Sequence, residues 1–305
     1  MLSFIIRRLL IIVPTALIVV TLTWGLIRLA PGNFYSGEKK LPAAVEANIR
    51  KKYGLDKPWW QQYGIMMSNI VRGDFGDSLK LQGQSVNEII RRHLPYSATI
   101  GILGYLLALA IGLTAGTVAA LKQNSTFDYG SMSLAMLGLS VPNFVLGPIL
   151  VLIFGFWLYW FPPARWGGIE SLVLPVCTLA AIYAAYIARL TRAGMLEVMR
   201  SDFIRTARAK GLDEKTVLFR HAIRGGLIPV ISFTGPALAA LLAGTVVVER
   251  VFAIPGLGNI FINSVLNRDE PLTLGIVAFL SILVMVFNLI VDISYGFLDP
   301  RIRYE

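Results

Sequence analysis

The chain has 305 residues, of which 55% are hydrophobic and 15% are charged; this composition excludes an ordinary soluble protein and predicts several membrane spans. The net charge of +10 does not indicate nucleic-acid binding, because the basic residues cluster at the ends of apolar runs instead of forming one stripe with aromatic residues between them. Cys177 is the single cysteine, which excludes an intramolecular disulfide and suggests no thiolate metal site.

The N-terminus resembles a secretory signal peptide, because Arg7 and Arg8 precede an apolar run. That run covers residues 9–27, which is too long for the apolar region of a signal peptide, and no small-x-small cleavage site precedes Pro31. We therefore predict that the run is retained as the first membrane span.

Six apolar runs approach or exceed the roughly 20 residues that a helix needs to cross the hydrocarbon. They cover residues 9–27, 98–121, 132–160, 172–188, 227–248 and 272–298. Backbone groups in lipid must be hydrogen-bonded internally, so the predicted fold class is an all-α polytopic membrane protein with six transmembrane helices. Pro142 and Pro148 are expected to bend the third run. Gly112 and Gly116 in the second run are expected to pack helices closely.

The basic residues in the short loops predict the orientation of the chain. Both tails, the second–third loop and the fourth–fifth loop are basic, so both termini are predicted to be cytoplasmic. Residues 28–96 hold eleven basic and six acidic residues but are predicted to be external, because the charge rule acts weakly on segments longer than about 60 residues.

The predicted organisation follows from these spans. It consists of a tail and first span at residues 1–30, an external helical insertion at 31–96, a five-helix core at 97–298 and a cytoplasmic tail at 299–305. In the insertion, helices are predicted at residues 42–55 and after Pro58. Ser85-Val-Asn-Glu88 matches a capping box, which predicts a short helix that ends near Leu94 and Pro95.

The predicted core contains a charged cytoplasmic loop, residues 197–226, between the fourth and fifth runs. Nine basic and four acidic residues lie between Arg189 and Gly226, so this loop is expected to lie in water at a membrane face. It is predicted to form two short helices: Ser201 caps the first, Gly211 ends it in a left-handed turn, and Asp213 caps the second. Small residues at the turn favour insertion of this elbow into a groove on another protein.

The elbow also carries a motif, Arg205-Thr-Ala-Arg-Ala-Lys-Gly211, followed by His221-Ala-Ile-Arg224. The motif resembles the EAA loop of type I ABC importer permeases, and of their peptide and nickel branch in particular. Arg205 begins the part that matches the Glu-Ala-Ala triplet, Gly211 matches the glycine, and Arg224 stands where the general pattern has proline. The resemblance implies ATPase coupling by Arg205, Thr206, Ala207, Arg208, Ala209, Lys210, Gly211, His221 and Arg224.

Further matches extend the resemblance over nearly the whole chain. They are Arg28-Leu-Ala-Pro-Gly32, Gly73-Asp-Phe-Gly76, Pro255-Gly-Leu-Gly258, Asn267-Arg-Asp269 and Asp299-Pro-Arg-Ile-Arg303. The short loop at residues 161–171 is similar to that of the B subunit of oligopeptide permeases. The resemblance implies import of oligopeptides by an assembly with a homologous second permease, two cytoplasmic ATPases and an external peptide-binding protein.

The same resemblance implies a non-catalytic subunit of the cytoplasmic (inner) membrane that binds no cofactor itself, while the partner ATPases use ATP and Mg. In agreement, the sequence lacks a Gly-x-x-x-x-Gly-Lys-Ser/Thr loop that would cradle ATP phosphates. Import of dipeptides, murein peptides or nickel chelates is an alternative on the same scaffold.

Alternatives from other classes make different demands on the sequence. An ion-gradient-driven secondary transporter or channel needs paired charges at mid-membrane and no coupling loop, and a membrane-embedded enzyme needs His, Asp and Glu clusters within the spans. The charged loop alone also suits a topology determinant that touches only lipid headgroups.

Asp292, with Asn288 one turn earlier, is polar at depth in the sixth run. A carboxylate there suggests either proton coupling or a structural ion pair with Arg189 or Arg192 near the cytoplasmic boundary. We favour the ion pair, because all three residues are expected near that boundary. His93 and His221 are each far from a second type of metal ligand, so neither is predicted to bind a metal.

Overall fold

The computed structural model describes residues 2–29, 54, 56–81 and 83–298. The helix predicted at residues 42–55 and the terminal motif at 299–303 lie outside the described residues. The side chain of Asp292 does too, although its backbone belongs to a described helix.

The described chain is helical throughout its regular parts, as the sequence predicts. In chain order the helices are α1 (Leu2–Leu29), α2 (Trp59–Val71), α3 (Val86–Leu121), α4 (Thr126–Ser140), α5 (Asn143–Leu150), α6 (Glu170–Met199), α7 (Asp202–Ala209), α8 (Glu214–Thr216), α9 (Ile223–Gly226), α10 (Ile228–Val251), α11 (Leu257–Leu266) and α12 (Glu270–Leu298). The chain continues from α5 and from α8 in π-helical turns, at Val151–Trp157 and Val217–Ala222 respectively.

Packing divides the chain into two compact units. The larger unit holds Tyr96–Pro255 and the chain from Val286 on, and the smaller unit holds Leu2–Pro95 and Gly256–Met285. The predicted boundaries follow membrane topology and these units follow packing, so the two divisions are of different kinds.

Within the described residues, four helices are long and apolar enough to cross a membrane. They are Leu10–Leu29, Val86–Leu121, Glu170–Met199 and Glu270–Ile290. They correspond to the first, second, fourth and sixth predicted runs. The fifth run forms α10, a helix of 24 residues.

The third predicted run is not a single straight span. Thr126–Ser140 and Asn143–Trp157 meet at an angle of 106°. The cause is Pro142: Val141, which precedes it, has extended backbone angles (φ −97°, ψ 113°), because proline disfavours a helical residue before it. The expected bend at Pro142 is therefore confirmed, whereas Pro148 lies inside α5.

Helix α6 is the centre of the larger unit, and half of its 30 residues are buried. Its apolar neighbours include Ile100 and Ala108 of α3 and Leu241 and Val248 of α10, all buried in one cluster with Leu179 and Ile187. A helix that is surrounded in this way cannot move without also moving its neighbours, because protein interiors are close-packed.

Two glycines of α3 permit the close approach of α3 to α6. A Cβ atom on Gly116 would lie 2.4 Å from the carbonyl oxygen of Ala188, and one on Gly112 would lie 2.6 Å from the Cβ of Ile187. Both distances are too short for real atoms. The expected packing role of the Gly-x-x-x-Gly pair is thus seen directly.

Gly116→Ala should therefore lower the melting temperature of the detergent-purified protein by several degrees. The new methyl group overpacks the α3–α6 contact, which costs about 1–3 kcal/mol. Gly130→Ala is the matched control, because its Cβ would meet nothing within 4 Å and alanine favours a helix over glycine. Fluorescence-detected size-exclusion chromatography after heating measures both variants, and equal melting temperatures would contradict the packing role.

A buried carboxylate organises the smaller unit. Asp269 is 1% exposed and accepts hydrogen bonds from the Ser78 hydroxyl and from the backbone N–H groups of Leu79 (3.0 Å) and Lys80 (3.2 Å). It also caps α12 by accepting from the N–H of Leu272 at 3.4 Å. These bonds explain the Asn-Arg-Asp motif, because one side chain fixes both a loop and a helix start.

Helix α3 begins where the sequence predicts and ends elsewhere. The Ser85 hydroxyl accepts from the N–H of Glu88 at 3.2 Å, which confirms the predicted cap. The predicted end near Leu94 and Pro95 is wrong, because the helix continues through Pro95 to Leu121. The short helix predicted at the end of the insertion and the second predicted span are therefore one continuous helix of 36 residues.

Candidate functional site: the charged elbow

The charged elbow, residues 201–226, is built as two helical arms around a tight turn. Helix α7 ends at Ala209, and Gly211 follows with φ +79°, a left-handed conformation that glycine adopts without strain. The Asp213 side chain then accepts from the N–H of Thr216 at 3.2 Å and caps α8. The predicted turn and second cap are confirmed.

The predicted cap by Ser201 is wrong in its chemistry. Ser201 occupies the cap position of α7, but its hydroxyl donates to the carbonyl oxygen of Val198 at 2.6 Å instead of accepting from an N–H group of α7. The bond ties the start of α7 to the last turn of α6. Its effect is to join the elbow firmly to the helix before it.

The elbow has an apolar core of its own. Residues from its two arms and from the ends of α3 and α6 are buried together: Ala120, Met195, Ile204, Ala207, Val217 and Ala222. Ala207 is 5% exposed, so its small side chain packs inside the elbow. Gly211 is exposed, and a Cβ there would meet nothing within 4 Å. Ala207 and Gly211 are both among the residues that the resemblance implies for ATPase coupling, and of the two only Gly211 is at the surface.

The base of the elbow is closed by a contact between two glycines. A Cβ atom on Gly194 of α6 would lie 2.3 Å from the carbonyl oxygen of Gly226, and one on Gly226 would lie 2.4 Å from the Sδ of Met195. The chain thus leaves α6 and returns to α6 at nearly the same place. The elbow is consequently a closed loop on a narrow base.

The outer surface of the elbow combines aromatic and cationic side chains. Phe203 and Phe219 are 51% and 68% exposed, and Leu212 is 39% exposed. The exposed basic residues are Arg205, Arg208, Lys210, Lys215, Arg220 and Arg224, and His221 is half-buried. Exposed aromatic residues with cationic neighbours are typical of surfaces that bind another protein.

Two of these cations already have partners within the elbow. Arg208 binds Glu214 through two hydrogen bonds of 2.7 and 3.1 Å, across the turn. These bonds lower the pKa of the Glu214 carboxyl below its ordinary value. Arg205 lies 3.1 Å from Asp202 one turn earlier. The pair of Arg208 with Glu214 therefore braces the turn, a role that the motif does not reveal.

A buried ion pair lies close to the elbow, and sequence reasoning missed it. Asp128 of α4 is 1% exposed, and Arg192 of α6 donates to both of its carboxylate oxygens, at 2.6 and 2.8 Å. The N–H of Asn124 completes the site at 2.9 Å. Asp128 starts a helix in the sequence, and nothing there distinguishes it from a helix cap.

The structure shows where the two predicted partners of Asp292 lie. Arg192, one of its two predicted partners, is bound by Asp128. Arg189, the other, is exposed. The side chain of Asp292 itself is outside the described residues, so its pairing stays a prediction.

A second buried acid was also missed. Glu249 near the end of α10 is fully buried and accepts a hydrogen bond from the Ser97 hydroxyl at 2.6 Å. Among the described residues, no three His, Cys, Asp or Glu side chains are grouped so that they could hold a metal ion.

Asp128→Asn should destabilise the protein by about 3 kcal/mol, because it leaves the Arg192 guanidinium without its counter-ion in a largely buried place. Asp202→Asn is the matched control: it also removes an aspartate that pairs with an arginine, but both side chains are exposed (92% and 73%), where ion pairs contribute little. Thermal melting in detergent compares them. A charge swap, Asp128→Arg with Arg192→Asp, should recover part of the loss, and equal melting of the two single variants would contradict the role.

The comparisons with known proteins agree with this geometry. Residues 112–304 match the family described as the inner membrane component of binding-protein-dependent transport systems, and residues 1–100 match the N-terminal region of such membrane components. The chain belongs to this family of transport permeases.

Curated relatives cover the chain from end to end. It is 45% identical to the oligopeptide transport system permease protein OppB of Haemophilus influenzae and 44% identical to OppB of Escherichia coli, over 100% of both chains in each case. It is 40% identical to the dipeptide transport system permease protein DppB of Bacillus subtilis, over 99% of this chain and 98% of that one.

Solved structures support the fold. The chain is similar to inward-facing structures of the MetNI methionine ABC transporter, with TM-scores of 0.57 and 0.59 at 16% identity. The similarity covers 69% of this chain and 96% of the other. The fold is therefore that of the type I ABC importer permeases.

Proposed function

We propose that this chain is a translocation subunit of an ATP-driven importer that carries oligopeptides into the cytoplasm, and that the charged elbow couples it to a separate ATPase. The observation that carries the proposal is the elbow itself: an exposed aromatic and cationic surface on a buried apolar core that the elbow shares with the ends of α3 and α6. A loop that only determined topology would need its charges and no such core.

The elbow suits a partner with an apolar groove and an acidic rim. Phe203 and Phe219 supply exposed apolar anchors, and Lys210 and Arg224 supply exposed positive charge on the same elbow. Anchors of this kind carry most of the binding energy in protein interfaces, while the surrounding charges direct association. ATP and Mg belong, on this proposal, to the partner ATPases and not to this chain.

The remaining parts of the assembly are proposed from the family. A homologous second permease, two ATPases and an external peptide-binding protein complete the transporter, which lies in the cytoplasmic membrane with both termini of this chain inside. The proposed domain organisation is the one expected from the sequence, with residues 31–96 external and the elbow cytoplasmic.

Oligopeptides are the preferred cargo, because relatives named for oligopeptide transport match the whole chain at 44–45% identity. Dipeptides are the second candidate, which the Bacillus relative at 40% identity supports. Competition of unlabelled di-, tri- and pentapeptides against a labelled tetrapeptide in uptake assays separates the two. Absence of uptake of the labelled tetrapeptide, with uptake of a labelled dipeptide by the same assembly, would exclude the oligopeptide proposal.

Gly211→Glu should leave the protein inserted in the membrane but reduce peptide uptake at least tenfold, because a bulky anion then stands at the exposed turn that enters the ATPase. Gly211→Asn is the matched control, since asparagine tolerates a positive φ and adds no charge. Both side chains meet open space on their own chain, but the positive φ strains glutamate more than asparagine, so the amount of inserted, folded protein is measured for each variant before uptake is compared. Equal uptake by the two variants would contradict docking at this turn.

The driving force can be tested directly against the ion-gradient alternative. In proteoliposomes that hold the assembled transporter, peptide uptake should require ATP inside the compartment that the elbow faces and should persist when a protonophore dissipates the proton gradient. Loss of uptake on adding the protonophore, with ATP still present, would favour a secondary transporter and overturn the proposal.

A further inference from the structure

Helix α2, in the insertion that is predicted to be external, has an unusual surface. The helix has 13 residues, Trp-Trp-Gln-Gln-Tyr-Gly-Ile-Met-Met-Ser-Asn-Ile-Val, and none of them is charged. None of these residues, all of which the structure describes, is buried in the protein. Trp60 is 58% exposed and Val71 is 86% exposed. The Trp60 ring meets the Trp59 ring edge-on, with 5.7 Å between the ring centroids, yet more than half of each tryptophan side chain is exposed, which is costly for a helix in water.

The exposed surface of α2 has an apolar edge and a polar edge. At 100° per residue, Trp60 and Val71 are separated by three turns and point within about 20° of each other. Gln61 and Ser68 are also exposed and share a second edge, about 80–100° further around the helix. Two further exposed apolar side chains, Trp59 (61%) and Ile65 (45%), lie outside these edges, about 100° from Trp60 on one side and about 40° beyond Gln61 on the other. The exposed surface is thus mostly apolar with one polar edge, which suits a helix that lies in a membrane interface.

Contacts with α1 fix the depth of α2. The Tyr63 hydroxyl is 2.6 Å from the hydroxyl of Thr21, and the ring of Trp24 lies 5.2 Å from that of Tyr63 and 6.4 Å from that of Trp59. Since Leu10–Leu29 is 20 residues long, or about 30 Å, it just spans the hydrocarbon. Thr21 then lies about 12 Å below the boundary that Leu29 marks.

Charged residues of α1 and beside the ends of α2 indicate the same membrane boundary. The Arg28 guanidinium lies 4.7 Å over the Trp24 ring, donates to the Gln62 side chain of α2 and is 3.3 Å from Glu270. Just outside the ends of α2, Lys57 and Arg72 are exposed, where they can bind lipid phosphates. Tryptophan and tyrosine are the residues that favour this headgroup level.

We propose that α2 is an interfacial helix whose Trp60–Val71 edge lies in the lipid of the bilayer and whose Gln61–Ser68 edge faces water. The partner is the phospholipid surface beside α1, and the insertion is held against it and does not extend freely into solution. The inference needs α1 to span the membrane but does not depend on coupling to an ATPase.

Fluorescence quenching at four single cysteines tests the two edges. In a Cys177→Ser background, the variants Trp60→Cys, Val71→Cys, Gln61→Cys and Ser68→Cys each receive an environment-sensitive fluorophore, and the assembled transporter is reconstituted in phosphatidylcholine vesicles. One sample contains lipid with a nitroxide near the headgroup end of its acyl chain. A second receives iodide on both sides of the membrane.

At positions 60 and 71 the nitroxide lipid should quench at least half of the fluorescence, and iodide quenching should be several times weaker than at positions 61 and 68. Equal iodide quenching at all four positions would overturn the proposal, because α2 then lies in water. Protection of positions 60 and 71 from both quenchers would overturn it too, because a protein then covers that edge. If Trp60→Cys fails to assemble, Val71→Cys against Ser68→Cys decides between these outcomes.

Discussion

The contact between Gly194 and the backbone of Gly226 is the constraint on which the geometry of the elbow depends. It brings the chain that leaves α6 and the chain that returns after the elbow to within van der Waals distance. A side chain at either glycine would separate the two ends of the elbow. Because they are joined, a displacement of the exposed turn at Gly211 cannot be absorbed by a slack loop and passes into the helices at the base.

Helix α6 receives that displacement first and has little freedom to move alone. Gly112 and Gly116 bring α3 into backbone contact with it, and Arg192 joins it to α4 through Asp128. The first contact is steric and the second is electrostatic, so they resist different motions. On the proposed function, these two contacts spread movement of the elbow over the larger unit.

The sequence predicts well what local chemistry decides. Apolar runs located the long helices, glycine located the left-handed turn at residue 211, and an aspartate located the cap at residue 213, because each depends on a residue and its neighbours along the chain. The third run was harder: its composition satisfies a membrane span, and only the effect of Pro142 on Val141 breaks it.

The remaining features depend on contacts between distant residues. The pairing of Asp128 with Arg192, and of Ser97 with Glu249, joins positions 64 and 152 residues apart, which no local pattern reveals. Ala207 also shows that a local pattern does not reveal which contacts a residue makes. Its place in the motif suggested a surface residue, whereas the fold of the two arms buries it in the elbow's own core. A motif identifies which residues matter, and the packing decides what each of them touches.

The sharp corner between α4 and α5 has a consequence for solvent. The Leu137 carbonyl oxygen accepts from the N–H of Val141 at 3.2 Å, but the carbonyl groups after it have no N–H partners along a continuous helix, since Pro142 offers no N–H and the chain turns by 106°. Acyl chains cannot satisfy these oxygens. The corner therefore needs polar protein groups or water around it. This holds whether the two segments cross the bilayer or turn back inside it.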